Sequence, residues 1–274
     1  MTMHAASRET LASAVDRLDR YADQAGPEEL ERLSDELFAV LRLLVSEPVL
    51  RRHLAEGATG DADRPGLLGG LLAGKVHEST LETLRPLERG RWSHPGDLVE
   101  AVEILARQAA LAQAQRNGSI EEVEDELFRF SRILEGQPRL RSLLADPTAP
   151  AERREELLDA VVAGKVRPVT ARLLRQVVAL PRGRSLERAV ERLSELAAAR
   201  RDRYIAHVQA AAPLSAGQER RLADVLARVY GRQIALQTEI DPDLLGGLLI
   251  RVGDEIIDGS IAGRLAKARQ RLAG

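Results

Sequence analysis

The sequence predicts a mainly α protein with a small α+β domain at its C-terminus, that is, tandem helical bundles followed by a mixed strand–helix segment. Three observations predict it. Apolar residues recur at helical spacing through most of the 274 residues. Glu36–Val76 lines up with Glu126–Val166 without a gap after a shift of 90 positions. Beyond Arg203 the apolar period falls from the helical value to two, as strands require. Composition agrees, with 44% hydrophobic residues to build cores and only 3% aromatic, so helices must pack through Leu and Ala. The net charge of -2 supplies no global attraction to nucleic acid or to an anionic membrane.

The elements follow in order. Leu11, Val15 and Leu18 stripe a first helix, and Pro27 opens a second with Leu30, Leu33, Leu37 and Leu44 on one side. Pro48 starts a short helix, and Gly74 ends a later one. The second copy begins with the stripe Leu98, Val102, Leu105 and Ala109, in a helix that stops near Asn117-Gly118. Ser119 with Glu122 predicts a capping box for the next helix, striped by Val123, Leu127, Phe130 and Leu134. Pro138 and Gly164 then repeat the roles of Pro48 and Gly74.

Prolines and glycines held in register across two copies mark a duplicated supersecondary unit. Pro48 matches Pro138, Arg51 matches Arg141, Leu67-Leu68 matches Leu157-Leu158, and both segments end in Ala-Gly-Lys-Val. The expected organisation is an extra bundle over 1–97, a second bundle over 98–203 and an α+β domain over 204–274. The helix near 98–116 closes the first bundle and opens the second.

In the last segment Tyr204, Ala206 and Val208 alternate with Ile205, His207 and Gln209, which predicts a strand. Ser215–Tyr230 returns to helix, with Leu222, Val225, Leu226 and Val229 on one face. A further strand puts Ile234, Leu236, Thr238 and Ile240 on one side, and Asp241-Pro242 turns the chain. The runs around Leu249 and Ile256 are two more strands, joined by Gly253-Asp254 in a tight hairpin of the II′ kind. Gly246-Gly247 permits a close backbone approach or a bulge at the strand's start. Asp258 caps a final helix striped by Ile261, Leu265, Ala268 and Leu272, with basic residues near its C-terminal end.

Several features imitate chemistry. Gly69, Gly74 and Lys75 fit the spacing of a nucleotide-binding loop, but Val76 stands where the hydroxyl belongs and no strand feeds the loop. In the second copy the matching residues are Asp159, Gly164, Lys165 and Val166, and an aspartate repels phosphate. His4, His53, His77, His94 and His207 share no metal-ligand spacing, and the chain has no cysteine. No cofactor, metal or catalytic residue is expected. Trp92 is expected either to contact a partner or to plug the end of a bundle. No apolar run approaches the roughly 18 residues of a membrane span, and the first residues are charged too soon for a signal peptide.

From about residue 98 onward the chain resembles the delta subunit of F-type ATP synthases, the oligomycin-sensitivity-conferring protein family of mitochondria. The resemblance rests on ELFRFSRILEGQPRLRSLLADP and its continuation, on LPRGRSLERAVERLSEL, and above all on DLLGGLLIRVGDEIIDGSIAGRL. In that last stretch Gly246, Gly247, Gly253, Asp254, Asp258, Gly259, Gly263 and Arg264 stand in family order. Thr170 fits the family step as well. The first copy is an addition and lacks the Pro-x-Thr step, having His77-Glu78-Ser79-Thr80 against Arg167-Pro168-Val169-Thr170.

The resemblance implies a non-catalytic stator part, at the cytoplasmic face of the cell membrane and touching it only through the complex. Its implied partners are the alpha subunits of the catalytic head, bound by the helical domain, and the b subunits of the peripheral stalk, bound by the C-terminal domain. The family's arrangement nominates Val102, Leu105, Ala109, Thr170, Leu173, Leu174 and Val177 as walls of a partner-binding groove. Nucleic acid is not an expected partner. The alternative from another class is a free-standing tandem-bundle adaptor or RNA-associated protein, supported by the repeat and the basic tail.

Overall fold

The computed structural model describes residues 3–56, 67–202, 205–230, 234–242, 244, 246–253 and 255–260. Two compact units emerge, Met1–Ala197 and Ala198–Gly274.

The first unit contains α1 (Ala5–Ala22), α2 (Pro27–Ser46), α3 (Pro48–Glu56), α4 (Leu67–Leu72), α5 (Glu78–Arg89), α6 (Pro95–Arg116), α7 (Ile120–Gly136), α8 (Pro138–Leu144), α9 (Ala151–Val162), α10 (Pro168–Ala179) and most of α11 (Leu186–Asp202). Proline sits in the first turn of α2, α6, α8 and α10, where its missing N–H would have no helical partner anyway. At the head of α2 the Glu29 carboxylate accepts the Gly26 N–H at 2.8 Å. Leu30, Leu33, Leu37, Leu41 and Leu44 then run down its buried side.

The duplication is visible atom by atom. Glu36 on α2 accepts the His77 N–H at 2.9 Å and the Thr80 hydroxyl at 2.5 Å, which ties down the start of α5. Ninety positions on, Glu126 on α7 accepts the Arg167 N–H at 2.9 Å and the Thr170 hydroxyl at 2.5 Å at the start of α10. The first copy lacks the Pro-x-Thr step, yet it keeps the contact. The proline is replaced, but Thr80 keeps the threonine's bond. Gly74 and Gly164 take matching left-handed conformations, φ 72° and 68°, to end α4 and α9.

The boundary placed at 97/98 falls where α6 begins, and α6 belongs to both copies. It packs most extensively on α2 and also on α1, α3, α5, α7 and α10. A helix with neighbours all round is buried all round, and fifteen of its residues are, from Leu98 to Ala114. Its alanines at 101, 106, 109, 110, 112 and 114 make this possible, because small side chains let helix axes approach closely. At one such contact the buried Ser34 hydroxyl of α2 donates to the Ala106 carbonyl at 3.1 Å.

One cap differs from expectation. Ser119 makes no capping bond to α7; its hydroxyl donates back to the Ala114 carbonyl at 3.2 Å and closes α6 instead. With φ -115° and ψ 16° its backbone is not in the extended region from which a capping side chain reaches forward.

The second unit holds β1 (Ile205–Ala210), α12 (Ala216–Tyr230), β2 (Ala235–Ile240), β3 (Leu248–Val252) and β4 (Glu255–Asp258). The sheet order is β2-β1-β3-β4, with β1 parallel to β2 and the other pairs antiparallel. Ala206, Val208, Leu226, Ile234, Ile250 and Val252 form its core. The alternation expected of β1 is present, every second residue being buried. Of the apolar face expected on α12 only Leu226 is fully buried, while Val225 is 39% and Val229 67% exposed. The glycine pair at 246–247 does permit close approach: a Cβ on Gly247 would stand 2.4 Å from the Gly259 carbonyl oxygen.

Candidate partner-binding surfaces

The chemical imitations resolve into architecture. Gly69 lies within α4, and the Lys165 ammonium folds back onto the Val161 carbonyl at 2.9 Å. No group of His, Asp and Glu among the described residues could hold a metal ion, although the fold brings the His4 and His94 rings to 5.7 Å. No helix among the described residues is long and apolar enough to cross a membrane. Trp92 packs against the helical core, and its indole N–H donates at 2.9 Å to the Leu87 carbonyl in the last turn of α5. It is a plug that also satisfies a helix-end acceptor.

The seven residues nominated as groove walls are brought together, but inside the core. Val102, Leu105, Ala109, Thr170, Leu173, Leu174 and Val177 are each at most 1% exposed. A partner helix could reach them only by displacing packed side chains. On the other side α2 of the first copy packs on α6, and its side chains reach α10. Arg172 of α10 pairs with Glu31, which also accepts from Gln113 of α6 at 2.9 Å, and its Nε lies 3.3 Å from Asp35. Farther along, Arg42 reaches Gln176 at 3.4 Å.

A second polar site escaped the sequence entirely. Glu103 on α6 is 3% exposed, and its carboxylate takes Arg107 from its own helix together with Arg182 and Arg184 from the loop before α11. Burial pushes the Arg107 guanidinium down to about 10, helped by the two neighbouring arginines and opposed by Glu103. One carboxylate thus pins a loop that carries a left-handed non-glycine residue, Arg182 at φ 50°. The signal available was the spacing Glu103-x-x-x-Arg107, too common on solvated helices to stand out.

In the C-terminal unit the signature glycines Gly247 and Gly259 meet at one end of the sheet, and Gly253 lies in the β3–β4 turn at the other. The Gly259 N–H donates to the Leu248 carbonyl at 2.9 Å, and Asp258 accepts from the Ser260 N–H at 2.9 Å and its hydroxyl at 2.6 Å. Beside them lies an apolar cleft of about 580 Å³ lined by Pro213, Leu214, Leu222, Val225, Gly247 and Leu248. Asp254, Gly263 and Arg264, and the helix expected after Asp258, lie outside the described residues.

Comparison with known proteins completes the assignment. The family described as ATP synthase delta (OSCP) subunit matches residues 106–272. The chain is 47% identical over 272 residues to the ATP synthase subunit delta of Streptomyces griseus, covering 99% of this chain and 100% of that one. The chain belongs to the ATP synthase delta (OSCP) subunit family. The delta subunit of Streptomyces avermitilis is 46% identical over 100% of both chains, so the first helical copy is shared with these relatives. The ATP synthase subunit b-delta of a Mycobacterium species (strain KMS) is 46% identical over 270 residues, 98% of this chain and 61% of that longer one. As a delta subunit the chain is a structural part of F-type ATP synthase, and it catalyses nothing itself.

Proposed function

We propose that the chain works as a stator clamp, holding the alpha subunits of the catalytic head through its helical unit and the b subunits of the peripheral stalk through its C-terminal unit. On this reading it sits on the cytoplasmic side of the membrane, and rotation driven by protons is coupled to ATP synthesis because the head cannot turn with the rotor. The observation that carries the stalk contact is the b-delta relative, in which a delta part like this chain is named jointly with b and occupies 61% of the protein. Covalent joining raises the effective concentration of one partner at the other, which suits an attachment that must not slip. The apolar cleft beside Gly247, continued by the exposed Val225 and Val229, supplies a surface of the kind an amphipathic partner helix buries.

The test is reconstitution. Membranes stripped of this chain are expected to hydrolyse ATP without pumping protons, and adding the purified chain back is expected to restore pumping. Replacing Val225 and Val229 by Glu is expected to weaken binding to the b subunit at least tenfold while binding to the head stays intact. Add-back that leaves the membranes uncoupled would refute the clamp.

A further inference from the structure

The α2 helix holds the second copy through four side chains whose types recur on the outer face of α7. Glu31 takes Arg172 of α10 and Gln113 of α6, and Asp35 lies beside the same arginine. Phe38, one turn from the Ser34 that bonds α6, is 1% exposed, and Arg42 reaches Gln176. Ninety positions on, the same four residue types stand at Glu121, Asp125, Phe128 and Arg132. The two helices share this register, since Glu36 and Glu126 make the same bonds. All four residues on α7 are exposed, Phe128 at 58%. Among the described residues, Asp125 and Arg132 meet only Arg129 and Glu135 of their own helix, in exposed pairs that are weak and readily exchanged.

We infer that the α7 face docks a helix from a neighbouring subunit of the ATP synthase, one that presents small side chains to Phe128 and an arginine to Glu121 and Asp125. That is the chemistry α6 and α10 jointly offer to α2. The alanines of α6 admit a close helix, and the Arg172 guanidinium answers two carboxylates. A second copy of this chain does not fit. Its α6 is packed by its own α2, whose side chains reach α10. In its α5, Glu82 stands where α10 has Arg172, and would meet Glu121 and Asp125 as a like charge. The internal array therefore ends at α7, and the exposed quartet is left to a different chain. This contact lies outside the clamp's named surfaces and requires only that the chain be assembled in the enzyme.

The experiment replaces Phe128 by the photoreactive p-benzoylphenylalanine in the full-length chain, which is irradiated both free and assembled in purified ATP synthase. The assembled enzyme is expected to give a cross-link to a helix of another subunit, with Ala, Gly or Ser at the contact and an arginine within one turn. The free chain is expected to give no cross-link to its other elements. In parallel, Phe128→Ser is expected to speed release of the chain from the enzyme at least fivefold. Glu121→Gln/Asp125→Asn is expected to speed it at least threefold, by a factor that shrinks as salt is added. The thermal midpoint of the free chain is expected to stay at the parent's value in both variants, since these side chains lie at the surface. Position 128 cross-linked to nothing, to lipid or within its own chain overturns the docking site while leaving the clamp intact, and so does an unchanged release rate. A cross-link to a second copy, or to a segment without small residues and arginine, overturns the choice of partner. A parent chain that never assembles overturns the docking site and the clamp together.

Discussion

The first helical copy and the second share a skeleton and differ in their charges. Both use a glutamate, Glu36 or Glu126, to gather a backbone N–H and a threonine hydroxyl at the start of the helix that opens ninety positions apart in α5 and α10. Both end the preceding helix on a left-handed glycine. At Ser13 and Glu103 they part, and so do their loops, with Trp92 plugging one bundle end and Arg182 with Arg184 knotted to Glu103 at the other. The difference teaches that duplication preserved the bonds that start the helices and let the charges around Ser13 and Glu103 diverge. A bond that starts a helix is needed in any copy; a buried charge is kept only where its own partners surround it.

The largest expected effect comes from breaking the charge knot. Glu103→Ala leaves three arginines around a buried site without their acceptor and is expected to cost about 3–5 kcal/mol in denaturant unfolding. Ser13→Ala, at the matching exposed position, is expected to stay within about 0.5 kcal/mol of the parent. Equal losses from the two would erase the contrast on which the comparison stands.

Cavity variants probe how far the copies are one body. Leu84 and Leu174 occupy matching positions and are each at most 2% exposed. Replacing either by Ala is expected to cost about 2–5 kcal/mol. Because α6 packs on helices of both copies, each variant is expected to lower the same cooperative transition of the helical unit. A calorimetric trace in which Leu84→Ala melts early and apart, with the second copy unmoved, would separate the copies after all.

Smaller effects test the shared skeleton. Glu36→Gln and Glu126→Gln each weaken two hydrogen bonds to a carboxylate and are expected to cost about 1–3 kcal/mol, with nearly the same loss in the two copies. Unequal losses would mean that the matching geometry is not matched in energy. Last, Arg172→Ala removes the link from α10 to Glu31 and Asp35, both half-exposed, so the loss is expected to be about 1 kcal/mol or less and to shrink as salt is added. An undiminished loss at high salt would show that the stem of Arg172, packed between α2 and α10, matters more than its charge.

Much of this protein was legible in its sequence, for a local reason. Helical periodicity, proline at N1, glycine at helix ends and strand alternation depend on each residue's own backbone and on which face it shows to an apolar interior. The repeat was legible because copies of one unit keep the same caps. Family membership followed from a dense set of glycines and carboxylates whose spacing is itself local. What only the tertiary structure decided depends on which faces meet. The sequence made Val102, Leu105 and Leu173 apolar but could not say that they close a core rather than line a groove, since both demand the same residue type. It could not say that α2 packs on α6 and reaches α10 through side chains, that Ser119 caps backward rather than forward, or that Glu103 sits within reach of Arg182 and Arg184, 79 and 81 positions away in the chain. Burial and charge pairing between distant segments are properties of packed surfaces, and they become definite only when the helices have chosen their neighbours.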